Sequence, residues 1–294
     1  MSKRIGFAFV GAVTSLLSGP VSAQSPAPGT DASPGTTATA AASPGLDASV
    51  DAPSSRYPRD VMSRPLTYPA GLGAAGFDLS SPTSSLADPT TVRVLAGYGI
   101  TDDIELNFGH YAFPTDHADK GTFDFGAGVK LVRGAVDGKL EIIARVQSGY
   151  NLATSGFNPL LAGLHAQYNL TPRVAVFTPG GQLSVGLAGD ARPVTFGLPV
   201  SLGVQATSTI WLQLDTSLAT LKIANASNAF VFADSTPVAV TAYVNVMPRL
   251  DVVLGATANL TPPETMDASG TTTRPGIADT LGVMLGARYY VGKL

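Results

Sequence analysis

Five short connections of one kind recur along the chain: Ile100-Thr101-Asp102-Asp103-Ile104, Val136-Asp137-Gly138-Lys139-Leu140, Leu170-Thr171-Pro172-Arg173-Val174, Ala206-Thr207-Ser208-Thr209-Ile210 and Val246-Met247-Pro248-Arg249-Leu250. Each sets about three turn-forming residues between two apolar-rich segments, as a tight hairpin requires. Centred on Asp102, Asp137, Pro172, Ser208 and Pro248, they lie 35, 35, 36 and 40 residues apart, so a two-stranded unit repeats along the chain. Longer, more polar connections fall between them, near residues 81–90, 114–120, 151–160, 188–194, 220–235 and 261–278. Short turns alternating with long loops are the pattern of an up-and-down barrel. Sandwiches seldom show such a contrast, and propeller blades would put about four strands in each unit.

The segments between turns have a side-chain period of two. Leu250, Val252, Leu254, Ala256, Ala258 and Leu260 share one face, and Asp251, Val253, Gly255, Thr257 and Asn259 the other. Ile210, Leu212 and Leu214 oppose Trp211, Gln213 and Asp215 in the same way, and Leu140, Ile142, Ala144 and Val146 oppose Glu141, Ile143, Arg145 and Gln147. Alternation alone fits a soluble sandwich as well as a membrane barrel, so the turn spacing decides between them. It predicts about 12 strands, near 68–80, 91–100, 103–113, 121–133, 138–150, 161–170, 173–187, 195–206, 209–219, 236–246, 249–260 and 279–292. In the seventh, Val174 and Val176 share a parity that Leu183, Val185 and Leu187 do not. A bulge at Pro179-Gly180-Gly181 is therefore expected, to restore the apolar face.

The two ends of the chain differ in texture. Residues 1–23 run from Lys3-Arg4 through an apolar stretch, Ile5 to Leu17, to Val21-Ser22-Ala23, the order of a cleaved secretory signal. Residues 24–60, largely Ala, Ser, Pro, Thr and Gly, hold too little large apolar surface to offset the entropy of ordering, and are expected to be a disordered periplasmic lead. Residues 61–294 form the expected barrel domain. No later apolar run is long enough to cross a bilayer as a helix. The net charge of −3 becomes about −5 once Lys3 and Arg4 leave with the signal, and no polybasic stretch remains for nucleic acid. With no cysteine there is no thiol chemistry, zinc–cysteine site or disulfide framework.

Arg64-Pro65-Leu66-Thr67-Tyr68-Pro69-Ala70-Gly71-Leu72 resembles the lead into the first strand of bacterial outer-membrane β-barrel proteins of the porin-like or transporter-like group, and the likeness extends over roughly residues 60–294. The last strand, Leu281 to Val291, carries Tyr289 and Tyr290 as that group's closing strands carry aromatics, although the chain ends Gly292-Lys293-Leu294 and not on an aromatic. The resemblance implies an all-β, closed antiparallel barrel in the outer membrane. Its partners would be outer-membrane lipid, the export and outer-membrane assembly machinery and an unspecified small solute. With short turns toward the periplasm, both termini are expected there.

With the apolar face on lipid, the other face lines the interior: Arg93, Glu105, Asn107, Asp124, Lys130, Glu141, Arg145, Gln147, His165, Gln167, Gln205, Gln213, Asp215, Asn245, Asp251, Asn259 and Arg288. Acids and bases are mixed, so no ring of one sign is expected. Two readings follow, a narrow polar channel for small solutes or an interior of salt bridges that simply closes the barrel. A lipid hydrolase is the reading from another class. It would need a base from His110, His117 or His165, and none sits in a nucleophile pattern, so no catalytic, cofactor or metal site is expected, the solvated loop Asp116-His117-Asp119 included. His165 is expected to make a structural hydrogen bond. A third role, surface interaction, would use the 220–235 and 261–278 loops. Phe230-Val231-Phe232 in the first of these is open to three placements: folded inward, docked on the outer rim, or extending the adjacent strands. Tyr98, Phe113, Tyr150, Tyr168, Trp211 and Tyr289 are candidates for the aromatic belts at the membrane interfaces.

Overall fold

The computed structural model describes residues 57–83, 91–112, 121–152, 155–187, 192–224, 230–232, 235–262, 265–266 and 272–292. The secretory signal, most of the Ala/Ser/Pro-rich lead, Phe113, the Asp116-His117-Asp119 loop, the side chain of His110 and Leu294 lie outside them.

Every period-two segment is a strand, and the wall has 12 of them. They are β1 Gly73–Pro82, β2 Thr91–Gly99, β3 Ile104–Ala112, β4 Thr122–Gly134, β5 Leu140–Asn151, β6 Leu160–Thr171, β7 Val174–Pro179 resumed at Leu183–Val185, β8 Val194–Thr207, β9 Ile210–Ala224, β10 Pro237–Met247, β11 Leu250–Asn259 and β12 Gly282–Val291. Each pairs antiparallel with its sequence neighbours, and β12 returns to β1 in the register Gly73↔Val291 to Pro82↔Gly282. Closure leaves no exposed sheet edge, which a chain surrounded by hydrocarbon cannot tolerate. The five expected turns are the five short connections of this wall. At Val136 and Asp137 (φ 53° and 56°) and at Arg249 (φ 78°) they pass through left-handed backbone.

The polarity of the wall is inverted relative to a soluble barrel. Phe108 on β3 is 52% exposed on the outer surface, whereas Glu105 on the same strand is 0% exposed and faces the bore. Val94, Val129, Val146, Leu164, Leu202, Leu212, Val240, Leu254 and Leu285 join Phe108 outside. Such an apolar exterior is stable only against lipid. Tyr98, Tyr168 and Tyr289 lie on this surface near the short-turn end, and Tyr150 stacks edge-on against Phe157 (5.3 Å between centroids) near the long-loop end. Trp211 is not in either belt. It is fully buried inside the barrel, because it shares the inward parity of Gln213 and Asp215.

The expected irregularity in β7 is present as a break. Gly180 and Gly181 take positive φ (89° and 68°), the strand resumes at Leu183, and the side chain of Gln182 fills the gap in the ladder. Its Oε1 accepts from the Leu164 amide (2.8 Å) and its Nε2 donates to the Leu164 carbonyl (2.6 Å), as a strand backbone would. A Cβ on the facing Gly163 would overlap that carboxamide. The segment Phe230–Phe232 pairs antiparallel with Ala219–Leu221, so this apolar stretch extends the β9 side of the wall.

β1 starts at Gly73, five residues later than the turn spacing suggests. The residues before it, Tyr57 to Leu72, are inside the barrel.

Candidate functional site

The site is the bore, and its short-turn end is occupied by the chain's own Tyr57–Leu72. The boundary expected at residue 60 runs through this segment. It carries a short 3₁₀ turn, Val61–Ser63, whose Met62 amide donates to Asp60 Oδ1 (2.8 Å) in the manner of an N-cap. The turn presents Val61 and Met62 to Ala175, Phe177 and Trp211, one apolar cluster, while Tyr57 and Leu72 pack with Ala74 and Tyr290 in another. Tyr57 and Tyr290 have ring centroids 4.4 Å apart.

Polar contacts fix the segment to nearly every side of the wall. Arg64 donates to both oxygens of Asp251 on β11, its Nη2 reaching Oδ1 at 2.9 Å, and Nη1 also donates to the Tyr290 hydroxyl at 3.2 Å. Arg64 and Asp251 are 2% and 0% exposed. Asp251 further accepts from Asn245 Nδ2 (2.8 Å) and the Tyr290 hydroxyl (3.0 Å), so its carboxylate is fully satisfied. Arg59 Nε donates to Asn245 Oδ1 (2.7 Å), and the Met62 amide lies 3.3 Å from Gln205 Oε1. Thr67 Oγ1 donates to the Asp102 carbonyl (2.6 Å), the Tyr68 amide to Glu105 Oε2 (3.2 Å), and Arg145 Nη2 to the Leu66 carbonyl (3.3 Å).

The wall is cut away to receive this segment. A Cβ on Gly97 would overlap the Tyr68 ring, and one on Gly99 would overlap the backbone of Tyr68 and Pro69. Across the bore, a Cβ on Gly203 would overlap the Trp211 indole, so glycine there lets the indole lie flat against the wall. Burial pushes the Tyr68 phenol up to about 12 and the Tyr57 phenol well above the ordinary tyrosine range. Burial also opposes the Arg64 charge, but the neighbouring Tyr290 and Asp251 outweigh it, and the guanidinium stays above the ordinary arginine value. Asp60, half-buried at the mouth, is raised by desolvation that its bonds to the Met62 and Ser63 amides only partly offset.

On the long-loop side of Tyr68 the bore opens into a cavity of about 80 Å³, lined among others by Arg93, Asn107, Asp124, Arg145, Gln147 and Arg288. Three guanidinium groups from three strands face it. Arg288 bonds Asp78 bidentately (2.7 and 2.8 Å), and Arg145 bonds Glu105 at 2.9 Å. Lys130 and Glu141 form a looser pair at 3.9 Å nearer the short turns. The other inward candidates lie along the bore. Gln213 donates to Asp215 (2.9 and 3.0 Å), Asp215 accepts from Ser201, and Gln167 donates to Asn169 (2.8 Å). At the long-loop rim, Asn259 Nδ2 donates to Ser235 Oγ (2.7 Å). His165 is buried, stacked on Phe177 (5.7 Å) and set beside Pro179, its register partner across the β6–β7 ladder. Among the described residues there is no cluster of three or more metal-ligating side chains.

Sequence reasoning did not reach Arg64, Asp78 or the inward Trp211. Asp78 is the one acid in its strand and pairs in register with Arg93, a signal that parity alone could have used. Arg64 lies outside any period-two segment, and nothing local couples it to Asp251, 187 residues away.

No protein-family description matches the chain, and no curated relative does. Among solved structures, the NanC porin matches at 10% identity over 76% of this chain and 100% of that one, with a TM-score of 0.46. The KdgM porin, solved in complex with disordered oligogalacturonate, matches at 8% identity over 74% of this chain and 98% of that one, TM-score 0.46. Salmonella typhi OmpF, solved with daunomycin, matches at 8% over 75% and 96%, TM-score 0.35. At these values the likenesses carry no weight of their own, and the closed register and inverted polarity decide. This chain is a closed, 12-stranded transmembrane β-barrel. Its lumen is polar, charge-balanced and closed at one end by its own N-terminal segment.

Proposed function

We propose that the barrel sits in the bacterial outer membrane with its short turns toward the periplasm and passes small polar solutes through a narrow bore. The observation that carries this reading is the bore itself. The wall faces it with Arg93, Arg145, Arg288, Asn107 and Gln147 around open volume, and the short-turn end is completed by a separate segment packed among wall side chains such as Trp211, Phe177 and Tyr290. A barrel whose only task is closure fills its interior from its own strands. Paired guanidinium and carboxylate groups keep the bore hydrated without committing it to one sign of charge, which suits neutral or weakly charged solutes. Twelve strands enclose less than the general porins' 16–18. Passage is therefore restricted to small molecules.

The test is swelling of liposomes containing the purified full-length chain in a series of uncharged sugars of rising size. Swelling with the smallest sugars and a sharp cut-off supports the narrow channel. Proteoliposomes of heat-modifiable, folded protein that do not swell in any sugar favour the second reading, a permanently closed structural barrel. The burial of Arg64 and Tyr57 in the bore is the observation on its side.

A further inference from the structure

We propose that Tyr57–Ala70 is a gate: it leaves and re-enters the bore as one unit, hinged at Gly71 and latched by Arg64 on Asp251. This rests on the channel reading above and adds what controls it.

The wall does not need the segment. The β12–β1 ladder begins at Gly73, and every other ladder closes strand to strand. Removing residues before Gly71 breaks no strand pairing. The join is a built turn: the Leu72 amide donates to the Pro69 carbonyl (2.9 Å), and Gly71 takes φ 77° with no neighbour within 4 Å of where a Cβ would lie. The Gly71 amide donates to the Gly99 carbonyl (2.9 Å), and the conformational freedom of glycine lets the chain before it turn away at the cost of that one bond.

What holds the segment is exchangeable. Its partners Glu105, Asp251, Gln205 and Asn245 are polar side chains that water can satisfy once the segment leaves. A buried ion pair is worth little net against solvated partners, but breaking one side of it is costly, and this is how a latch behaves. The apolar contacts of Val61 and Met62 with Trp211 and Phe177 set the closed state as the resting one. Gly97 and Gly99 make the same point from the wall, since residues with side chains there would shut Tyr68 and Pro69 out. A unit with one glycine hinge, one ionic latch and a recess shaped for it has two discrete positions.

The experiment uses the full chain, which has no native cysteine and a single tryptophan, Trp211. Arg64→Cys with Asp251→Cys removes the latch, and a short bis-maleimide with a cleavable disulfide then ties the introduced thiols together. Single-channel conductance and Trp211 emission are read before linking, after linking and after cleavage, with Arg64→Gln as a second unlatched form. The expected result is an open fraction at least tenfold above wild type in both unlatched forms, silence on linking and recovery on cleavage, with Trp211 emission red-shifted whenever the channel is open. Equal conductance in linked and unlinked protein, with unchanged emission, overturns the gate and leaves the channel standing. Emission that shifts reversibly with no conductance in any form overturns the channel while the moving segment remains. Neither conductance nor an emission change overturns both.

Discussion

Arg64 and Asp251 form a bidentate pair inside the barrel, with Tyr290 donating to the same carboxylate and both ring faces of the Tyr57–Tyr290 pair near the guanidinium (5.0 and 5.3 Å). Two residues 187 positions apart thus tie the chain's lead to its closing strands.

Removing one partner leaves a charge buried without its counter-ion, which costs about 3–5 kcal/mol. Asp251→Asn is therefore expected to weaken docking of the segment by up to that amount, read as the rate of protease cleavage within residues 57–70. Arg64→Met combined with Asp251→Leu should cost far less than the sum of the single changes, because no orphan charge remains. Additive losses would show that the pair is not energetically coupled.

Gly97→Leu should expel the segment while leaving the wall intact. The added side chain takes the place of the Tyr68 ring, whereas the β2 backbone still pairs with β1 and β3. The check is protease cleavage within residues 57–70, absent in wild type and rapid in the variant, alongside unchanged migration of the folded barrel. A variant that fails to fold would place the segment's docking before closure of the wall.

The wall was legible in the sequence because each of its features is local. Turn residues at Asp102, Asp137, Pro172, Ser208 and Pro248 fix the hairpins, and the period of two assigns Arg93, Glu105, Arg145 and Asp251 inward without reference to any distant residue. The break in β7 was legible for the same reason, from a change of parity across Gly180-Gly181. The lumen segment has no period. Tyr57, Val61, Met62, Leu66 and Leu72 are apolar at irregular spacing, and each finds its partner more than a hundred residues away or on another strand. Trp211 shows how residue type can mislead: tryptophan suits an interface belt, but its own parity with Gln213 already placed it inside, where it meets Met62 and Val61.

Gln182 substitutes for a strand backbone, so its shape and both of its polar atoms matter. Gln182→Leu leaves the Leu164 amide without a partner and the Leu164 carbonyl with only the Thr178 hydroxyl (2.8 Å), and should cost about 1–3 kcal/mol. Gln182→Glu keeps the acceptor but loses the donor and sets a carboxylate against the Leu164 carbonyl. It should be at least as damaging. Midpoints of urea unfolding in detergent check both, and a neutral Gln182→Leu would mean that the ladder gap is filled by water.

The phenols of the lumen segment predict an alkaline release. Burial raises Tyr68 from 10.0 to about 12, and Tyr57 lies higher still. A group whose pKa is raised on docking contributes stability that is fully present below its undocked value and is lost as pH climbs through the docked one. The segment should therefore stay seated up to about pH 10 and loosen between 10 and 12. Arg64 keeps its charge through this window, so the latch itself does not titrate first. Trp211, packed against Val61 and Met62, reports the event as a red shift in emission. Tyr68→Phe removes one of the two titrating phenols and should move the shift to higher pH without altering the emission at neutral pH. An emission spectrum that is constant through pH 12 in the wild-type protein, with tyrosinate absorbance rising over the same range, would show that the segment's seat does not depend on either phenol.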